Sequence, residues 1–135
     1  MKFVVALNRS YELSRLASGL GHVTAGLVAG LRDRTEDFAF GEYISRDGQV
    51  YPWISDAPFI VLKGRGGQLK SLRGTLNERG LPCVAYLDTM LSGGASVQKE
   101  LTAQRAEDEI QVLAVATFGP AEVLNELTKK FSLWQ

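Results

Sequence analysis

Apolar residues in this 135-residue chain switch between two spacings, and that switching limits the folds open to it. Phe3 to Leu7 is an unbroken apolar run closed by polar Asn8-Arg9, the pattern of a buried strand. From there the period lengthens: Leu16, Leu20, Val23, Leu27 and Leu31 recur at three- and four-residue steps, which predicts an amphipathic helix capped by Ser14. The alternation repeats. Phe59 to Leu62 predicts a second strand, followed by the turn Gly64-Arg65-Gly66-Gly67. A helix marked by Leu69, Leu72 and Leu76 then stops at Gly80 and Pro82. Cys83 to Leu87 forms a third strand delivered to Asp88, Val97 to Ala106 is weakly helical, and Ile110 to Phe118 is a fourth strand. Gly119-Pro120 opens a last helix with Val123, Leu124, Leu127 and Phe131 on its buried stripe. Residues 33 to 57 carry Phe38, Phe40, Tyr43, Tyr51 and Trp53 around a turn at Asp47-Gly48 and read as a loop or irregular extended excursion. Strands alternating with helices imply one α/β domain over residues 1–135, with a largely parallel or mixed sheet of four strands.

Charge and cysteine content remove several classes of function. Fifteen basic residues balance fifteen acidic ones, so strong nonspecific binding to nucleic acid phosphates is not expected. The charges are unevenly spread, however. Lys63, Arg65, Lys70, Arg73 and Arg79 face only Glu78, while Glu107-Asp108-Glu109 forms an acidic run, leaving weak, local RNA contact open. A lone Cys83 cannot form an internal disulfide, and with His22 it is too few ligands for a four-coordinate zinc site. No metal and no cofactor are expected. The apolar stretch at the N-terminus is too short for a secretory signal, and no run reaches membrane-spanning length, so a cytoplasmic location with no membrane partner is expected.

Three predicted strands end in polar residues: Asn8-Arg9, Lys63 and Asp88. Ligands of open α/β sheets bind outside the carboxyl ends of parallel strands, and these groups converge if their strands are parallel. Equally, strands commonly end in polar residues at a surface. On the first helix Arg15, Ser18, Gly19, His22 and Gly26 share one side, apart from the leucine stripe. Glycine costs a helix about 1 kcal/mol against alanine, so its repetition serves either close packing or floor space for a ligand beside His22. The Gly64 to Gly67 turn offers backbone N–H groups to a phosphate or is an ordinary turn; it lacks the Gly-Lys-Ser/Thr ending of a nucleotide-binding loop. Cys83 reads as a buried structural thiol.

These residues resemble the second class of peptidyl-tRNA hydrolases, and more closely an uncharacterised family of short bacterial proteins with that fold. The opening strand is followed by a helix with His22 in the class's Ser-His-Ala step, although Ser14-Arg15 replaces Gly-Lys and Gly19 replaces a glutamine. Val61-Leu62-Lys63 matches a strand ending in Leu-Lys. Asp88 matches the start of an Asp-Ala-Gly-x-Thr motif, in which Thr89-Met90 replace Ala-Gly and Ser92 supplies the hydroxyl. Gly119-Pro120 matches the entry to the last helix. The connection from Asp88 to Gly119 is longer than in the hydrolases. The resemblance implies a three-layer sandwich with a four-stranded mixed sheet flanked by helices. It further implies hydrolysis of a tRNA-linked or other small ester or amide, with Asp88 orienting or deprotonating water, Lys63 stabilising an oxyanion and His22 beside them. Asn8, Arg9, Arg15, Gly19, Gly64 and Ser92 are the candidate binding residues. A non-catalytic domain for a small anion or metabolite is the competing expectation. A homodimer anchored by Tyr51, Trp53 and Trp134 is a third.

Overall fold

A computed structural model describes the whole chain, Met1–Gln135. Strand β1 (Lys2–Asn8) leads into helix α1 (Leu13–Gly30), then a 3-10 segment (Arg32–Phe38) and a hairpin of β2 (Phe40–Ile44) and β3 (Val50–Ser55). Strand β4 (Phe59–Gly64), helix α2 (Gly66–Glu78) and strand β5 (Val84–Leu87) follow. A 3-10 turn (Asp88–Met90), α3 (Ala95–Ala103), β6 (Val112–Gly119), α4 (Ala121–Leu127) and the two-residue β7 (Ser132–Leu133) complete the chain.

The main sheet has five strands in the order β5-β6-β1-β4-β7, one more than the four expected. The addition is β7, which pairs Leu133 with Leu62 and Ser132 with Lys63; two residues are too few to show a period in the sequence. β1 runs parallel to β4 and antiparallel to β6, and β6 is antiparallel to β5. β1, β4 and β5 therefore point the same way, and their carboxyl ends share one edge of the sheet.

Strand alternation sends successive side chains to opposite faces, which builds two apolar layers. Phe3, Val5 and Leu7 pack with Leu16, Val23 and Leu27 of α1. Val4 and Ala6 pack with Leu69, Leu72 and Leu76 of α2 and Leu124 of α4. Helices thus cover both faces of the sheet, giving the expected three layers. In the first layer Phe3 stands 4.5 Å from Phe118 and 5.3 Å from Phe38, ring centre to ring centre, within the range of favourable aromatic pairs. All eight residues of β6 are buried. Among them the Thr117 hydroxyl has no hydrogen-bond partner.

Local expectations needed several corrections. α1 begins at Leu13 after Glu12, so Ser14 lies inside its first turn and is not the cap. Gly66 and Gly67 belong to α2 and not to a loop; the Arg65 N–H is held by Gln68 Oε1 at 2.8 Å. Residues 33 to 57 are an ordered 3-10 segment and hairpin with the turn at Asp47-Gly48, where Gly48 has φ +86°. β2 and β3 form a separate two-stranded sheet. Its base is tied down by Asp56 N–H to Ala39 O (2.9 Å) and by the Ser55 hydroxyl to Phe38 O.

Candidate functional site

The parallel strands bring Asn8, Lys63 and Asp88 to one edge, but at different depths and with different occupations. Asn8 is buried and its amide bonds the Val112 carbonyl at 3.1 Å, while its Oδ1 accepts the Ser10 N–H at 3.0 Å. It joins β1 to β6 and shapes the turn into α1. Both oxygens of Asp88 are engaged: Arg105 Nη1 lies 3.0 Å from one, and the Gln111 N–H lies 3.1 Å from the other. Arg105 follows α3, so the long connection after Asp88 folds back and covers its carboxylate. β4 stands three strands from β5 in the sheet order, about 14 Å at the usual strand spacing. Lys63 and Asp88 therefore sit at separate places along the edge.

Lys63 occupies a different setting. It points to the α1 side of the sheet, as Val61 does, and lines a cleft of about 450 Å³ with Arg9, Ser10, Tyr11, Trp134 and Gln135. Arg9 is anchored by its N–H to the Gly64 carbonyl at 2.9 Å. Trp134 is placed by β7 and donates its N–H to the Val61 carbonyl at 3.0 Å. Tyr11 donates its hydroxyl to Gln111 Oε1 at 2.7 Å, and the Arg15 guanidinium lies 5.7 Å from the Tyr11 ring centre. Ion pairs join Arg34 to Asp37, Arg73 to Glu107 and Arg105 to Asp88. Arg9, Arg15 and Lys63 have no carboxylate within 4 Å.

The remaining candidates lie elsewhere. His22 is exposed, seven residues or about 10 Å along α1 from Arg15. Its ring is nearly parallel to that of Tyr86 at 6.4 Å, over a small cavity of about 200 Å³ that includes Val84, Met90 and Gln98. Gly19 is a packing residue: a Cβ there would stand 2.6 Å from Tyr86 Cε1, and Gly26 accommodates Val84 in the same way at 3.4 Å. Gly64 is buried under Phe131, whose Cδ1 would lie 2.6 Å from an added Cβ. Ser92 is exposed in the turn before α3. Cys83 is partly buried, and desolvation holds its thiol pKa above the ordinary value, partly offset by Arg73.

The basic stretch and the acidic run, separate in the sequence, meet in space. Lys70 Nζ bonds the Glu107 carbonyl at 2.7 Å and Arg73 reaches the Glu107 carboxylate at 3.5 Å. The largest groove, about 690 Å³ between α2 and α4, has mixed charge, with Arg65, Lys129 and Lys130 against Glu126. Tyr11, Arg105 and Gln111 are the edge residues that sequence reasoning missed, and Trp134, expected as a dimer anchor, lines the cleft. Each is placed by an element or pairing with no sequence signal, except Tyr11, whose position directly after Asn8-Arg9 could have flagged it.

No group of three or more His, Cys, Asp or Glu side chains is arranged to hold a metal ion, and no helix is long and apolar enough to cross a membrane. Residues 1–135 match a family described as protein of unknown function (DUF2000). Among solved structures the chain is similar to a protein of unknown function, Atu0240, from Agrobacterium tumefaciens str. C58. The TM-score is 0.82 at 20% identity, covering 99% of this chain and 97% of that one. At that identity the likeness shows a common fold. No curated protein matches the chain.

Proposed function

The chain belongs to the DUF2000 family, whose function is unknown, and from its own geometry we propose that it binds a small organic anion at the carboxyl edge of β1 and β4. One observation carries this: Lys63 and Arg9 line one cleft without a carboxylate partner, beside Tyr11 and Trp134. Two unneutralised cations in a concave site attract a carboxylate or phosphate, and Arg9 can grip it with two parallel donors. Trp134 offers a flat apolar surface to the body of the ligand. The cleft volume falls within the range typical of small-molecule sites.

The hydrolase alternative draws on the resemblance to peptidyl-tRNA hydrolases and asks Asp88 to handle a water molecule. A general base needs a free lone pair within reach of that water. Each Asp88 oxygen accepts one hydrogen bond, from Arg105 and from the Gln111 N–H, and keeps a lone pair, but Lys63, the oxyanion group of the hydrolase reading, stands about 14 Å away along the sheet edge. His22, about 10 Å along α1 from Arg15, supplies no second base. Binding is therefore the better-supported function.

Thermal shift and calorimetry with inorganic phosphate, benzoate and adenosine monophosphate test it. At least one of these is expected to stabilise the protein, with Lys63→Met weakening its binding about tenfold or more, the loss of one charged hydrogen bond. Asp88→Asn is expected to leave binding within about twofold. Absence of binding by any of the three, or unchanged affinity in Lys63→Met, would overturn the proposal.

A further inference from the structure

The groove between α2 and the end of α4 lies on the opposite face of the sheet from the Lys63 cleft. Its volume of about 690 Å³ falls in the range of small-molecule sites. Two kinds of surface meet in it. Buried Leu72 and the half-buried Leu127 and Phe131 form an apolar floor, and Arg65, Lys129 and Lys130 supply positive charge.

The charge is gathered at one end. The Gln68 side chain accepts the Arg65 N–H at 2.8 Å and donates to the Lys130 carbonyl at 3.3 Å, which fastens the start of α2 to the segment after α4. Glu126 is the one carboxylate lining the groove, and it pairs with none of the cations: Arg65, Lys129 and Lys130 have no carboxylate within 4 Å. Three cations against one carboxylate leave an excess of positive charge. From that end the wall of α2 runs on through Gly67, Ser71 and Thr75 at four-residue steps, about 12 Å along the helix, with no bulky side chain to fill the space. Thr75 also differs from Thr24, Thr102 and Thr128, whose hydroxyls bond the carbonyl four residues earlier at 2.8, 2.8 and 2.7 Å. Its hydroxyl makes no such bond and is free for a ligand.

We propose that this groove binds one amphiphilic anion, with a phosphate or carboxylate head held by Arg65, Lys129 and Lys130 and an alkyl or acyl body laid along α2 on Leu72, Leu127 and Phe131. The charge selects an anion, because unneutralised cations in a concave, partly apolar setting attract one more strongly than they do in open water. The floor selects the body. Each methylene fully removed from water tightens binding about fourfold, so even a partly covered chain of several carbons adds more than the head alone achieves. This site is separate from the Lys63 cleft: it stands on the other face of the sheet, and a small anion without a tail leaves its floor uncovered.

Calorimetry and a two-dimensional amide NMR titration of the full chain with octyl phosphate, kept below its micelle concentration, test this beside inorganic phosphate and the uncharged octyl glucoside. Octyl phosphate is expected to bind one per chain and at least tenfold more tightly than either comparison compound, with saturable shifts centred on Gln68, Ser71, Thr75 and Lys130. Arg65→Met and Ser71→Trp, both at exposed positions, are expected to weaken it about tenfold, the first by removing a charged contact and the second by filling the groove. Three outcomes would overturn the proposal: octyl phosphate bound no more tightly than the two comparison compounds, shifts centred on Lys63 and Trp134, or unchanged affinity in the two variants.

Discussion

β6 and the β2–β3 hairpin are made of similar residues and live in opposite environments. Val112–Gly119 is buried at every position, while all eleven residues of β2 and β3 except Gly41 and Ser55 are exposed. Both segments are rich in β-branched and aromatic side chains, which favour extended backbone wherever packing permits. What separates them is neighbours: β6 has strands on both edges and helices on both faces, and the hairpin has neither. Strand propensity thus specifies local geometry, and connectivity decides burial.

Four substitutions probe that contrast, beginning with the largest expected effect. Phe118→Ala removes a ring packed between Phe3 and Phe38 and should cost about 3–5 kcal/mol in urea unfolding; a loss below 1 kcal/mol would mean that β6 is not the packed centre. Gly19→Ala drives a methyl into the Tyr86 ring and should cost about 1–3 kcal/mol, while Gly21→Ala, where a Cβ meets open space, should be neutral or slightly stabilising. Thr117→Val replaces an unpaired buried hydroxyl with a methyl and should stabilise by about 1 kcal/mol. Tyr51→Ser in the hairpin should change the unfolding free energy by less than about 0.5 kcal/mol. A large effect there would show that the hairpin is packed against its own body.

Much of the layered fold was legible because its long elements carry strong periods. The leucines of α1 and α2 and the apolar runs of β1, β4 and β6 each repeat enough to set type and face. Of the hairpin only the turn at Asp47-Gly48 was legible: its aromatic residues are exposed on both faces and give no inside-outside alternation. β7 is too short to register, and with it went the placement of Trp134. At the edge, Asn8, Lys63 and Asp88 could be assigned to strand ends from position alone. That Asp88 is held by Arg105, seventeen residues away, depends on how the α3 connection folds back, which spacing does not encode. The glycine face of α1 had two readings open, and Tyr86 and Val84 against Gly19 and Gly26 favour packing.

The proposed anion cleft is tested most directly by a two-dimensional amide and indole NMR titration with adenosine monophosphate, inorganic phosphate and benzoate. The account predicts saturable shifts from at least one of them at the Trp134 indole and the Lys63, Arg9 and Tyr11 amides, lost in Lys63→Met and little affected by Asp88→Asn. Shifts centred instead on His22, Tyr86 and Asp88, or no saturable shift with any of the three, would contradict it.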